Sequence, residues 1–322
     1  MAEASPKSTA ANADKDYLDP DVLSGIRRID VRARLVVEGY ITGMHKSPFN
    51  GVAIEFASHR EYVPGDEIKH IDWKLWSRTD RLYIKEYEEE TNLRCTIILD
   101  GSKSMAYGEK RGKKGDENNA GMSKYDYAAT AAAALAHLLT RQQDTVGLVT
   151  FTDKVTANLP PSSNSAHLKK MVHQMSVLQP AEATDFDGVF PDLAAQIPRR
   201  GLIVIFSDLF ADLEHLKTAL QQFRLRKHDV VLFHVMHDDE INFPFAENTK
   251  FVGLEVDEEL QTDPRALRES YLKVVGEFQD QVRKECSRQG IDYLLLNTKD
   301  RLDAVLNKYL AFRNSTKGQR RL

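Results

Sequence analysis

Asp100, Ser102 and Ser104 follow one apolar run at alternate positions, in Thr96-Ile97-Ile98-Leu99-Asp100-Gly101-Ser102-Lys103-Ser104-Met105. Hard oxygens gathered on a short loop suit a hard divalent cation, Mg²⁺ or Mn²⁺. One loop does not fill an octahedron, and Thr184 and Asp208 are the candidates for further ligands. Each residue also has a simpler role open to it. An Asp after a strand often caps the next helix, and serines there form turns. Thr184, followed by Asp185 and Asp187, suits a helix start. What singles out the set Asp100, Ser102, Ser104, Thr184 and Asp208 is that three separate loops supply it in order.

The elements that must position these residues alternate from Leu93 onward. Apolar runs lie at Leu93–Leu99, Thr145–Phe151, Leu202–Ser207, Val230–Val235 and Tyr293–Leu296. Helical patterns lie at 124–141, 166–178, 187–197, 212–226, 264–289 and 300–313. Continuous apolar strands alternating with helices predict an α/β fold with a doubly wound, mostly parallel sheet covered on both faces. Lys154–Leu159 alternates and suits an edge strand beside Thr145–Phe151. In the order 3-2-1-4-5-6 the runs ending at Asp100 and Asp208 are neighbours, and ligands bind at their carboxyl ends. Neighbouring strands are about 4.8 Å apart, so the two carboxylates repel unless a cation or a proton relieves them.

Before Leu93 the texture differs. Residues 1–18 have no periodicity and read as a disordered leader. Residues 19–92 read as an amphipathic helix from Pro20 to Val36 plus a β-rich module, with strands at Ala33–Ile41, Gly51–Phe56 and Arg81–Tyr87. Trp73 and Trp76, among Arg60, Asp66, Asp72 and Arg78, suit either a partner surface or an ion-pair scaffold around buried tryptophans; the second is expected. The α/β domain spans 93–313, and 314–322 form a basic tail.

Composition narrows the function classes. The 322 residues carry 44 Lys and Arg against 48 Asp and Glu, a net charge of −4, which argues against bulk binding to nucleic acid or anionic membrane. The hydrophobic fraction of 42% supports a large core. Cys95 and Cys286 lack metal or redox spacing and read as buried thiols of a cytoplasmic protein. No apolar run reaches the roughly 18 residues that span a bilayer. A dinucleotide fold is excluded because Asp-Gly-Ser-Lys-Ser replaces the glycine-rich turn, and no phosphate-binding P-loop occurs.

Asp100-x-Ser102-x-Ser104, Thr184, and Asp208 in Phe206-Ser207-Asp208-Leu209 resemble the metal-ion-dependent adhesion site of von Willebrand factor A domains. The resemblance implies that the hydroxyls bind the metal, that the acids hold its waters, and that a partner's acidic residue completes the shell. A second resemblance covers Gly43-Met-His-Lys-Ser47-Pro48, Gly51–Phe56, Arg60-Glu-Tyr62-Val-Pro64-Gly65-Asp66 and Ile71-Asp72-Trp73. These segments are similar to the bacterial domain-of-unknown-function family numbered fifty-eight, in which a β-rich stretch precedes a von Willebrand A-like domain. That resemblance implies an adaptor or chaperone-like role beside a MoxR-type AAA+ ATPase.

The expected function is a metal-dependent protein-interaction module, without catalysis. The alternative is a Mg²⁺-dependent phosphatase or phosphotransferase with Asp100 as phosphoryl acceptor. Ser102 stands where such enzymes place their general acid, which weighs against it.

Overall fold

In a computed structural model of the chain, the residues described are 28–46, 58–63, 73–79, 81–86, 93–108, 122–183, 186–197, 200–210, 212–247, 249–255, 259–303 and 306. The chain divides into two compact units, Met1–Thr42 with Leu93–Leu322, and Gly43–Asn92.

Within the larger unit, the apolar runs form β3 (Arg94–Asp100), β4 (Thr145–Phe151), β5 (Val155–Ser162), β6 (Leu202–Ser207), β7 (Asp229–Met236) and β10 (Asp292–Asn297). They make one six-stranded sheet in the order β10-β7-β6-β3-β4-β5. All pairings are parallel except β4 with β5. Numbered along the chain, this is the expected 3-2-1-4-5-6. The strand period of two splits the core into two faces. Ile97, Leu99, Val204 and Phe206 point into one apolar cluster, while Ile98, Ile203 and Ile205 point into the other.

Helices cover both faces. On the first lies α3 (Lys124–Arg141), whose Ala128, Ala129 and Ala131–Ala134 are buried because small side chains let the helix approach the sheet closely. Beside it lies α4 (Ser165–Val177). The second face carries α5 (Phe186–Gln196), α6 (Leu213–Leu225) and α8 (Pro264–Gln289). In α6, Leu216, Ala219, Leu220 and Phe223 are buried at one-face helical spacing. Helix α8 begins at an Asp263 cap with Pro264 in the first turn and stops at Gly290, whose φ of 65° suits a residue without Cβ. The short α7 (Asp238–Asn242) follows β7, and β8 (Thr249–Val252) pairs with β9 (Glu259–Thr262) in a separate two-stranded sheet. The Cys95 and Cys286 thiols are buried and form no disulfide with each other.

The first helix, α1 (Ile29–Lys46), corrects the sequence reading. It continues through 33–41, a stretch read as strand from its β-branched residues. The buried side chains Ile29, Ala33, Val36 and Val37 recur at i, i+4, i+7 and i+8, a helical stripe, and they join the core cluster of the α/β unit. The period outweighed the local β preference.

In the smaller unit, β1 (Ser58–Glu61) pairs antiparallel with β2 (Tyr83–Glu86), and α2 (Trp73–Thr79) lies between them in sequence. Trp73 and Trp76 meet edge to face at 6.0 Å. They are 55% and 43% exposed, which corrects the expectation of buried tryptophans. The strand expected at Gly51–Phe56 lies outside the described residues, as does the leader 1–18.

The sheet edge carries a testable constraint. The register of β4 and β5 shifts between Val146 and Leu148, at Gly147. A Cβ on Gly147 would lie 2.7 Å from the Leu159 carbonyl oxygen and 2.8 Å from the Pro161 nitrogen, both main-chain atoms that yield only if β5 moves. Gly147→Ala is expected to destabilise the domain by about 1–3 kcal/mol in urea unfolding. An unchanged midpoint would show that the edge strand adapts freely.

Candidate functional site

Strands β3 and β6 are hydrogen-bonded neighbours in register, Leu99 opposite Phe206, so their carboxyl ends open onto one place. Asp100 is buried completely there. Its Oδ1 accepts the Ser102 backbone N–H at 2.9 Å, and its Oδ2 accepts the Ser207 hydroxyl at 2.6 Å. Burial, and then the negative charge of Asp208, push its pKa up to about 7. The hydroxyls of Ser102 and Ser104 lie 3.0 Å apart in a hydrogen bond. Backbone bonds from Lys103 N to Glu182 O and from Ala181 N to Gly101 O tie this loop to the segment after α4. Thr184, two residues further on, lies outside the described residues.

Asp208 is met by a residue that the sequence reading treated only as part of a helix. Lys124, at the first position of α3, places its Nζ 2.7 Å from Asp208 Oδ2 and 2.7 Å from Glu240 Oε1, with its side chain 3% exposed. Burial works against the ammonium, but Asp208 and Glu240 outweigh it and hold its pKa above the ordinary value. Glu240 is itself fixed from behind. Its Oε2 accepts the His237 backbone N–H at 2.8 Å, in the capping box that starts α7. The Ser123 hydroxyl accepts the Asp126 N–H at 3.0 Å, capping α3, and anchors the turn from which Lys124 projects. Glu255, from the segment between β8 and β9, lies against Ser104. Burial raises its pKa, and the Ser104 hydroxyl and backbone offset part of that rise.

These contacts correct the expected cofactor. Among the described residues, no group of three or more His, Cys, Asp or Glu side chains is placed to hold a metal ion. The positive charge between the acids is the Lys124 ammonium, and both Asp100 oxygens already accept hydrogen bonds. The described residues therefore do not fit Mg²⁺ or Mn²⁺. The structure brings together Asp100, Ser102, Ser104 and Asp208, and adds Lys124, Ser207, Glu240 and Glu255. Lys124 carried one legible signal: a cation at a helix N-terminus opposes the helix dipole, so something else must hold it there.

Among the described residues of the rim, a large apolar side chain points outward. Leu209 adopts the left-handed φ of 57° with its side chain buried, and the next residue, Phe210, is 66% exposed beside Asp208. Its N–H reaches Asp208 Oδ1 at 3.3 Å.

The strand order, with its one antiparallel edge pairing, is that of a mostly parallel, von Willebrand A-like α/β domain. The chain belongs to the family described as "Protein of unknown function DUF58", whose model matches residues 58–281. It is similar to the uncharacterized protein Rv1480 of Mycobacterium tuberculosis, 24% identical over 307 residues that cover 92% of each chain. The uncharacterized protein Mb1516 of Mycobacterium bovis matches to the same extent. Among solved structures, it is similar to an aerotolerance-related membrane protein from Bacteroides fragilis (18% identity, 67% of this chain and 97% of that one, TM-score 0.43). It is also similar to the conserved hypothetical protein BatB from Bacteroides thetaiotaomicron (14% identity, 69% and 99%, TM-score 0.42). The VWA domain of SpRpn10 matches at 12% identity over 67% and 94%, with a TM-score of 0.37. These structural likenesses are distant. No helix among the described residues is long and apolar enough to cross a membrane.

Proposed function

We propose that this chain is a protein-interaction module whose contact surface is the rim at the carboxyl ends of β3 and β6. The observation that carries the reading is Phe210, a large apolar side chain held out to solvent by a left-handed residue with a buried side chain. A bulky aromatic next to a fixed charge network is the composition of a binding hot spot. In this reading Asp100, Ser102, Ser104 and Asp208 shape the rim. The sequence resemblance makes a MoxR-type AAA+ ATPase the partner of choice and the cytoplasm the place of encounter. The alternative with Asp100 as phosphoryl acceptor finds no support, since that carboxylate is fully buried with both oxygens engaged.

The test is calorimetric titration of the full chain with a MoxR-type ATPase from the same organism. Phe210→Ala is expected to weaken binding by about tenfold or more, roughly 1.4 kcal/mol, with the melting temperature unchanged. Equal affinity of the native chain and the variant would remove Phe210 from the interface and the rim from the proposal.

A further inference from the structure

We propose that Lys124 is the resident counter-ion of the strand-end acid cluster, so that this domain folds and holds its rim without any divalent cation. The inference does not depend on which partner binds, or on whether one does.

Four observations carry it. The ammonium sits between carboxylates from two different elements, 2.7 Å from each, and is almost wholly withdrawn from water. Glu240 is aimed at it by an independent bond from the His237 N–H, so the partner geometry is built and does not depend on Lys124. The Lys124 backbone is anchored too, its N–H donating to the Tyr107 carbonyl at 3.0 Å, while Nζ lies 5.9 Å over the Tyr107 ring. Last, the lysine stands in the first turn of α3, where the helix dipole favours an acid. A residue that breaks the local preference and is held by contacts from several elements marks a position set by tertiary need. The charge that a bound cation would supply elsewhere is here part of the chain, and it cannot dissociate.

The full chain, treated with chelator and then given MgCl₂ or MnCl₂ at millimolar concentration, is expected to melt within about 1 °C of the untreated chain, because a ligand that binds only the folded state would raise the midpoint. Mn²⁺ added to the protein is expected to give no enhancement of water-proton relaxation. Lys124→Met, which keeps the stem and removes the charge, should lower the melting temperature by several degrees, because two acids then share a buried site without a cation. Adding Asp208→Asn to Lys124→Met should return part of that loss, a coupling expected only if the two groups interact directly. A rise of the native midpoint with either metal, or bound Mn²⁺ in the relaxation measurement, overturns the proposal, and these arms decide it even if Lys124→Met does not fold. Additive losses in the double variant would overturn it as well.

Discussion

Asp100→Asn is expected to make the protein more acid-sensitive than the native chain. Burial and the neighbouring Asp208 hold Asp100 near 7, against an ordinary value of 3.8. Between those values the folded state binds a proton that the unfolded chain does not, so stability falls as pH rises from about 4 to 7. The size is on the order of 4 kcal/mol for an acid moved this far. His234 works in the opposite sense. It is buried with its Nδ1 2.8 Å from the Tyr293 hydroxyl. Burial lowers its pKa from 6.5 to about 4, so the unfolded chain takes the proton first and stability falls as pH drops from 6.5 to 4. In the native chain the two trends largely cancel across the same interval. Asparagine keeps the shape of the protonated acid and can donate to the Ser207 oxygen, but it cannot titrate. The variant should therefore lose roughly 2 kcal/mol more than the native chain between pH 6.5 and 5, measured by urea unfolding of both at each pH. Parallel profiles for the two proteins would mean that Asp100 titrates in the ordinary carboxylate range.

Phe206→Ala is expected to cost about 3–5 kcal/mol, the range for deleting a fully buried aromatic ring. Phe206 stacks on Phe233 with ring centroids 4.7 Å apart and planes 13° from parallel, across the β6–β7 pair. The ring also lies just before Ser207 and Asp208, so its loss should loosen the strand end that delivers them. Phe206→Leu should recover about half of the stability, since it restores apolar volume without the stacked plane. Equal losses in the two variants, read from guanidinium unfolding, would indicate that apolar volume contributes nothing there without the stacked ring.

Much of the α/β unit could be read from residue patterns because its elements are locally self-consistent. The core strands are apolar runs bounded by polar positions, and helical periodicity marks the segments between them. The adjacency of Asp100 and Asp208 followed from the expected strand order, and the pairing of β3 with β6 bears it out. The site's cation was not legible in the same way. Lys124 reaches partners 84 and 116 residues away, and its misfit with the helix dipole says that something holds it there but not what. Its identity is a property of the tertiary fold alone. The first helix failed for a different reason: Val36, Val37 and Ile41 are β-formers by composition, but the spacing of Ile29, Ala33, Val36 and Val37 is helical, and packing decided between them. Trp73 and Trp76 show the converse error, where residue type suggested burial and the short helix α2 leaves them in solvent.

Because α1 contributes Ile29, Val36 and Val37 to the same interior as β3 and α3, the larger unit is discontinuous along the chain. During synthesis its opening helix must wait for the whole Gly43–Asn92 segment to emerge before it meets the strands it will cover. An expression fragment started at Leu93 would retain every strand of the sheet and yet expose an oily groove, also stranding Asp126 without the Arg32 guanidinium that reaches it at 3.1 Å. Any dissection of this protein into separately folding halves has to carry residues from both sides of that insertion.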